Sequence, residues 1–77
     1  MTNVNLLKSR LIVLGYEDFT TAISEMLNIS YSAASAKLNN KRGFKQSEIS
    51  ILAVKLGLNG DELKEIFVDG VNESDSN

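Results

Sequence analysis

The chain predicts an all-α fold of five short helices, and three observations carry that expectation. Apolar residues recur three and four positions apart through successive segments, the period of one helical face. No stretch alternates apolar and polar residues as a half-buried strand would, and no proline interrupts the segments. Polar or glycine-containing breaks separate them, at Gly15, Asn28-Ile29-Ser30, Lys41-Arg42-Gly43 and Gly57. With 77 residues, 43% of them hydrophobic, the chain has room for one domain near the lower size limit for unaided folding. The domain is expected over residues 1–68, followed by a polar, disordered tail at 69–77.

The first helix should be capped from Asn3-Val4-Asn5 and run with Leu6, Leu7, Arg10, Leu11 and Leu14 at helical spacing, Val13 alongside. Gly15 suits the left-handed residue that follows a helix end. Lys8 and Arg10 point away from the leucine stripe. Residues 16–19 connect to the second helix, with Asp18 as its N-cap.

Thr20 to Asn40 then reads as two short helices joined by a tight turn. Ile23 and Leu27 define an inward face, with Met26 beside it, and Ser24 is small where the helices should cross. Asn28 tolerates the left-handed conformation of a sharp exit, Ile29 should plug into the core, and Ser30 can accept from free N–H groups of the next helix. Ala34 and Leu38 form that helix's inward stripe, which leaves Tyr31, Ser32, Ser35, Ala36 and Lys37 on other faces. After a basic turn, Phe44 should pack into the core. A fourth helix, from about Gln46 to Leu56, buries Ile49, Leu52, Ala53 and Leu56. A capping box with Glu48 would want Ser or Thr at position 45, where Lys45 stands, so this start should be frayed or capped late by Ser47. Gly57 closes the helix. Asn59 and Glu62 form a capping signature for a fifth helix, Gly60 to about Val68, with Leu63, Ile66 and Phe67 apolar.

The paired helices, with Leu27-Asn28-Ile29-Ser30, Lys37-Leu38-Asn39-Asn40-Lys41-Arg42-Gly43-Phe44 and Glu48-Ile49, resemble the helix-turn-helix of the Cro and CI repressor-like superfamily. The likeness spans roughly Leu6 to Phe67 and is to the short phage regulators in particular. It implies a lambda-repressor-like helix-turn-helix domain serving in a lysis–lysogeny switch. Such proteins act either as operator-binding repressors or as modulators (antirepressors) that bind the phage repressor.

The residues present exclude much other chemistry. Histidine and cysteine are absent, which removes the usual zinc sites, imidazole-based triads and disulfides. The glycines stand singly and form no phosphate loop. Asp61, Glu62 and Glu65 open a surface helix, where they complement its dipole. No enzyme, cofactor, metal or small-molecule ligand is expected. No apolar run approaches the ~20 residues of a membrane span, and Met1-Thr2-Asn3 lacks the charged-then-apolar progression of a signal peptide. A cytoplasmic location is the expectation.

Net charge is −2, but its sign divides along the chain. Residues 1–44 carry five cations against three carboxylates, residues 45–77 three against seven. Lys37, Lys41, Arg42 and Lys45 cluster at the end of the presented helix, where the resemblance places phosphate contacts; the plain alternative is a solvated turn. The base-reading positions it implies are Tyr31, Ser32, Ala33 and Ala36, with Ser35 flanking. None is Arg, Lys, Asn or Gln, the strong readers of base edges. Small residues around an aromatic anchor suit a protein partner at least as well. The expected interaction residues are thus Tyr31, Ser32, Ala33, Ser35, Ala36, Lys37, Lys41 and Arg42. The expected ligand is a phage CI-type repressor protein, whose DNA binding is modulated, with direct binding to operator double-stranded DNA as the alternative. A non-regulatory structural bundle is the third possibility. Homodimerisation would use Ile66, Phe67, Val68 and Val71, unless these merely close the core.

Overall fold

The computed structural model describes residues 2–67, which form five helices and contain no strand. The helices are α1 (Val4–Val13), α2 (Phe19–Leu27), α3 (Tyr31–Leu38), α4 (Gln46–Leu56) and α5 (Gly60–Ile66). Val68 of the expected fifth helix, the expected boundary after it and the tail at 69–77 lie outside the described residues.

Each helix starts where a side chain can take up free amides. Asn3 Oδ1 accepts from Leu6 N at 3.1 Å, Asp18 Oδ1 from Thr21 N at 3.1 Å and Ser30 Oγ from Ala33 N at 3.1 Å. At α5 the box closes in both directions: Glu62 N donates to Asn59 Oδ1 at 2.8 Å and Asn59 N to Glu62 Oε1 at 2.9 Å. The start of α4 departs from the expected fraying. Lys45 has no acceptor to offer, yet its own N–H donates to Glu48 Oε1 at 2.8 Å. The return half of the box is therefore made without the forward half, and the helix begins at Gln46.

The Asp18 cap is charge-dependent. Thr21 donates to the carboxylate from its backbone N–H and, at 2.8 Å, from its hydroxyl, which together hold the Asp18 pKa below its ordinary value of 3.8. A depressed folded-state pKa contributes stability above the unfolded-state value, and that contribution disappears as pH falls through the folded-state value. Asp18→Asn keeps a capping acceptor and removes the titration. Its stability, followed by thermal unfolding between about pH 2 and 5, is expected to decline less on acidification than that of the wild type; parallel declines would show that the cap contributes nothing to the acid limb.

Helix exits explain which apolar residues reach the core. Gly15 (φ 93°) is left-handed, and the bonds Tyr16 N to Leu11 O and Gly15 N to Ile12 O, both 2.9 Å, complete a Schellman exit. Leu7 and Leu11 are fully buried, but Leu14 is not on their stripe: it is 46% exposed, with Val13 at 73%. The helix ends at Val13, and Leu14 (φ −83°, ψ 0°) is its C-cap. Asn28 is left-handed (φ 55°, ψ 49°) and turns the chain from α2 into α3. Ser24 Oγ donates to Ile29 O at 2.7 Å, so the small residue at this crossing also fastens the turn. Ile29 packs against the core as expected.

Leu7, Leu11, Ile23, Leu27, Ala34, Leu38, Ile49, Leu52, Leu56 and Ile66 form the core with Ala22, Phe44 and Phe67. The Phe44 and Phe67 rings meet edge to face, centroids 5.5 Å apart at 75°. The N-terminal segment is tied to the end of α5 by backbone and to the loop after α3 by a side chain. Asn3 N donates to Ile66 O at 2.7 Å, and the Asn40 amide bonds both the N–H and the carbonyl of Thr2, at 3.2 and 3.1 Å.

Candidate interaction surface

α3 presents its N-terminal end most fully. Tyr31, its first residue, is 60% exposed and Ser32 is exposed beside it. Ala33, Ser35 and Ala36 are half-buried, with Asn39 Nδ2 lying 3.4 Å from Ser35 Oγ. Six of the eight expected residues thus lie along one helix, and Lys37 is the one charged residue among them.

Lys37 corrects the expectation for the helix's C-terminal half. It is only 2% exposed and offers no cation to a ligand. Its ammonium reaches inward to Glu48 Oε1 at 2.9 Å, donates to Gly43 O at 2.9 Å and stands 5.7 Å from the centre of the Phe44 ring. A charge taken from water needs this kind of pairing, because an uncompensated buried ammonium costs several kcal/mol. The α3 surface is therefore uncharged along its whole length.

Lys41 and Arg42 are exposed beyond the helix, with Lys45 exposed on the far side of Gly43. Together with Lys37 and Gly43 they line a concavity of about 220 Å³. Asn40, left-handed at φ 58°, sets the path of this loop, and Lys41 N and Arg42 N both donate to Ala36 O, at 2.9 and 3.3 Å. Sequence reasoning missed Glu48 and the Gly43 carbonyl as parts of this region. The available signal was a Glu at the third position of a helix whose N-cap cannot serve it.

A second feature bears on ligand choice. Glu17 and Asp18 are exposed at the start of α2, and Asp18 already occupies that helix's free amides. They form one wall of a larger concavity of about 450 Å³ whose lining includes Phe19 and Asn39. Lys8 lies over the Phe19 ring at 5.9 Å.

The expected dimer surface is corrected as well. Ile66 and Phe67 are fully buried, since the chain's own core covers them, so neither can face a second copy; Val68 and Val71 lie outside the described residues. The exposed apolar side chains are elsewhere, at Ile12, Val13 and Leu14 and at Ile51 and Val54. Among the described residues no group of acidic side chains could hold a metal ion, and no helix is long and apolar enough to cross a membrane. Compared with protein-family models, with curated proteins and with solved structures, the chain matches none.

Proposed function

We propose that the chain is a phage-type regulator of transcription in a lysis–lysogeny switch, with a lambda-repressor-like helix-turn-helix. In this proposal it binds a partner repressor through the α3 surface and modulates that repressor's DNA binding. The observation that carries the choice of ligand is the inward turn of Lys37. It leaves Tyr31, Ser32, Ser35 and Ala36 as an uncharged surface with an aromatic anchor, in which small residues allow close backbone approach. A duplex would demand the opposite, cations and bidentate readers along the presented helix. The start of α2 points the same way. A helix N-terminus commonly meets phosphate, and here Asp18 fills it, with Glu17 adding a second negative charge beside it.

Direct operator binding is the second proposal, favoured by the exposed trio Lys41, Arg42 and Lys45. A gel-shift titration on the promoter region, with this protein alone and with the repressor encoded beside it, separates the two. Loss or super-shift of the repressor's band, without a shift by this protein alone, is the result expected. A specific shift by the protein alone that weakens steeply with salt would replace partner binding by operator binding. No effect in either lane would leave the helical bundle without a regulatory role.

A further inference from the structure

We infer that the buried residues Lys37 and Glu48 are positioning residues: they hold the loop between α3 and α4 so that Lys41, Arg42 and Lys45 act as one cationic unit. The inference extends the surface assigned above, but it concerns the free chain and stands or falls on measurements made without the partner.

The geometry is a tie between two helices and the loop that joins them. Glu48 Oε1 takes the Lys37 ammonium at 2.9 Å and the Lys45 N–H at 2.8 Å, and so links α3, α4 and the loop's last residue. The same ammonium takes the Gly43 carbonyl at 2.9 Å, which pins the middle of the loop. It stands over Phe44, whose ring is anchored on Phe67. The loop's other end is fixed from Ala36 O, by the amides of Lys41 and Arg42. Each residue from Lys41 to Lys45 is therefore fastened by a backbone group or, at Phe44, by its ring, while the side chains of Lys41, Arg42 and Lys45 remain exposed around one concavity.

A buried ion pair of this kind contributes little net stability, because desolvation offsets most of the attraction. Apolar side chains could fill the space at no loss. What they could not do is fix a carbonyl and an amide of the loop at set distances from two helices. The tie thus specifies a conformation rather than adding stability, as buried polar groups do in some systems. Three exposed cations on a loose loop would spread over many arrangements and meet a polyanion one at a time.

The test uses the full chain and the variant K37M/E48Q. The side-chain amide that E48Q introduces can still accept from the Lys45 N–H, but the Gly43 carbonyl loses its donor. One cation and one carboxylate are removed together, so the net charge stays at −2 and no exposed charge changes. Heparin is the polyanion used, and thermal unfolding checks that the variant folds. In the wild type, amide order parameters of residues 41–45 should be near 0.85, and in the variant below about 0.6. The variant should also elute from heparin at lower salt than the wild type. Should it lack a cooperative unfolding transition, K37M/E48L, with no polar side chain left at either position, is read in the same way. Unchanged order parameters, an unchanged elution position, a wild-type loop already below about 0.6, or a wild type not retained on heparin at low salt would each overturn the inference.

Discussion

Replacing Phe44 with alanine is expected to destabilise the domain by about 3–5 kcal/mol, the usual range for truncating a buried aromatic ring. Phe44 is the large apolar side chain of the loop between α3 and α4, and it is almost wholly buried. Its ring sits edge to face against Phe67 and beneath the Lys37 ammonium, so truncation opens a cavity bordered by a second aromatic ring and a buried ion pair. Stabilities of about 0.05–0.15 kcal/mol per residue are typical, so the loss is a large fraction of the stability of a chain of this length. Urea denaturation should show a lower midpoint with an unchanged slope if the folded state keeps its compactness. A double-mutant cycle with Phe67→Ala should return a coupling of about 0.5–1.5 kcal/mol, the contribution of an aromatic pair beyond its buried area. A loss below about 1 kcal/mol for Phe44→Ala would mean that the loop does not close over the core as described.

The parts of the fold that could be read in advance are those set by neighbours in sequence. Asp18, Ser30 and Asn59 cap because their acceptors lie three residues from the amides they serve. Asn28 and Gly15 take left-handed conformations for reasons internal to one turn. The stripes Leu7–Leu11, Ile23–Leu27, Ala34–Leu38 and Ile49–Leu52–Leu56 are buried because spacing alone puts them on one face. What could not be read depends on where distant elements come to rest. Lys37 sits one position from Leu38 and looks solvent-facing until α4 brings a carboxylate opposite it. Asn40 belongs to a turn by its sequence, yet its side chain holds Thr2, 38 positions away. Ile66 and Phe67 could equally have closed a core or met a second copy, and only the packing of α5 on α1 and Phe44 decides for the core. The candidate surface was legible at Tyr31, Ser32, Lys41 and Arg42, which are exposed by helix position and turn composition, and was misread at the residue that tertiary pairing withdraws.

Tyr31→Ala is the substitution expected to change binding most. Tyr31 opens α3 directly after its Ser30 cap and is largely exposed, so truncation removes contact area without opening the core. Stability should stay within about 0.5 kcal/mol of the wild type. Affinity for the proposed partner repressor should fall by at least about 2 kcal/mol, roughly 30-fold in Kd, as expected when a rigid aromatic anchor is lost from an interface. Ala36→Trp should act as strongly from the other side of the surface, by keeping the partner's backbone away. Isothermal titration at two salt concentrations gives the decisive comparison. For a protein ligand the Tyr31 and Ala36 effects should persist at both, with Lys41→Ala and Arg42→Ala contributing less. For DNA the order reverses: either cation removed should weaken binding across sequences and reduce the salt slope by about one, while Tyr31→Ala costs no more than a phosphate contact. If neither pair of substitutions alters binding to either ligand, α3 and the loop after it are not the surface through which the chain acts.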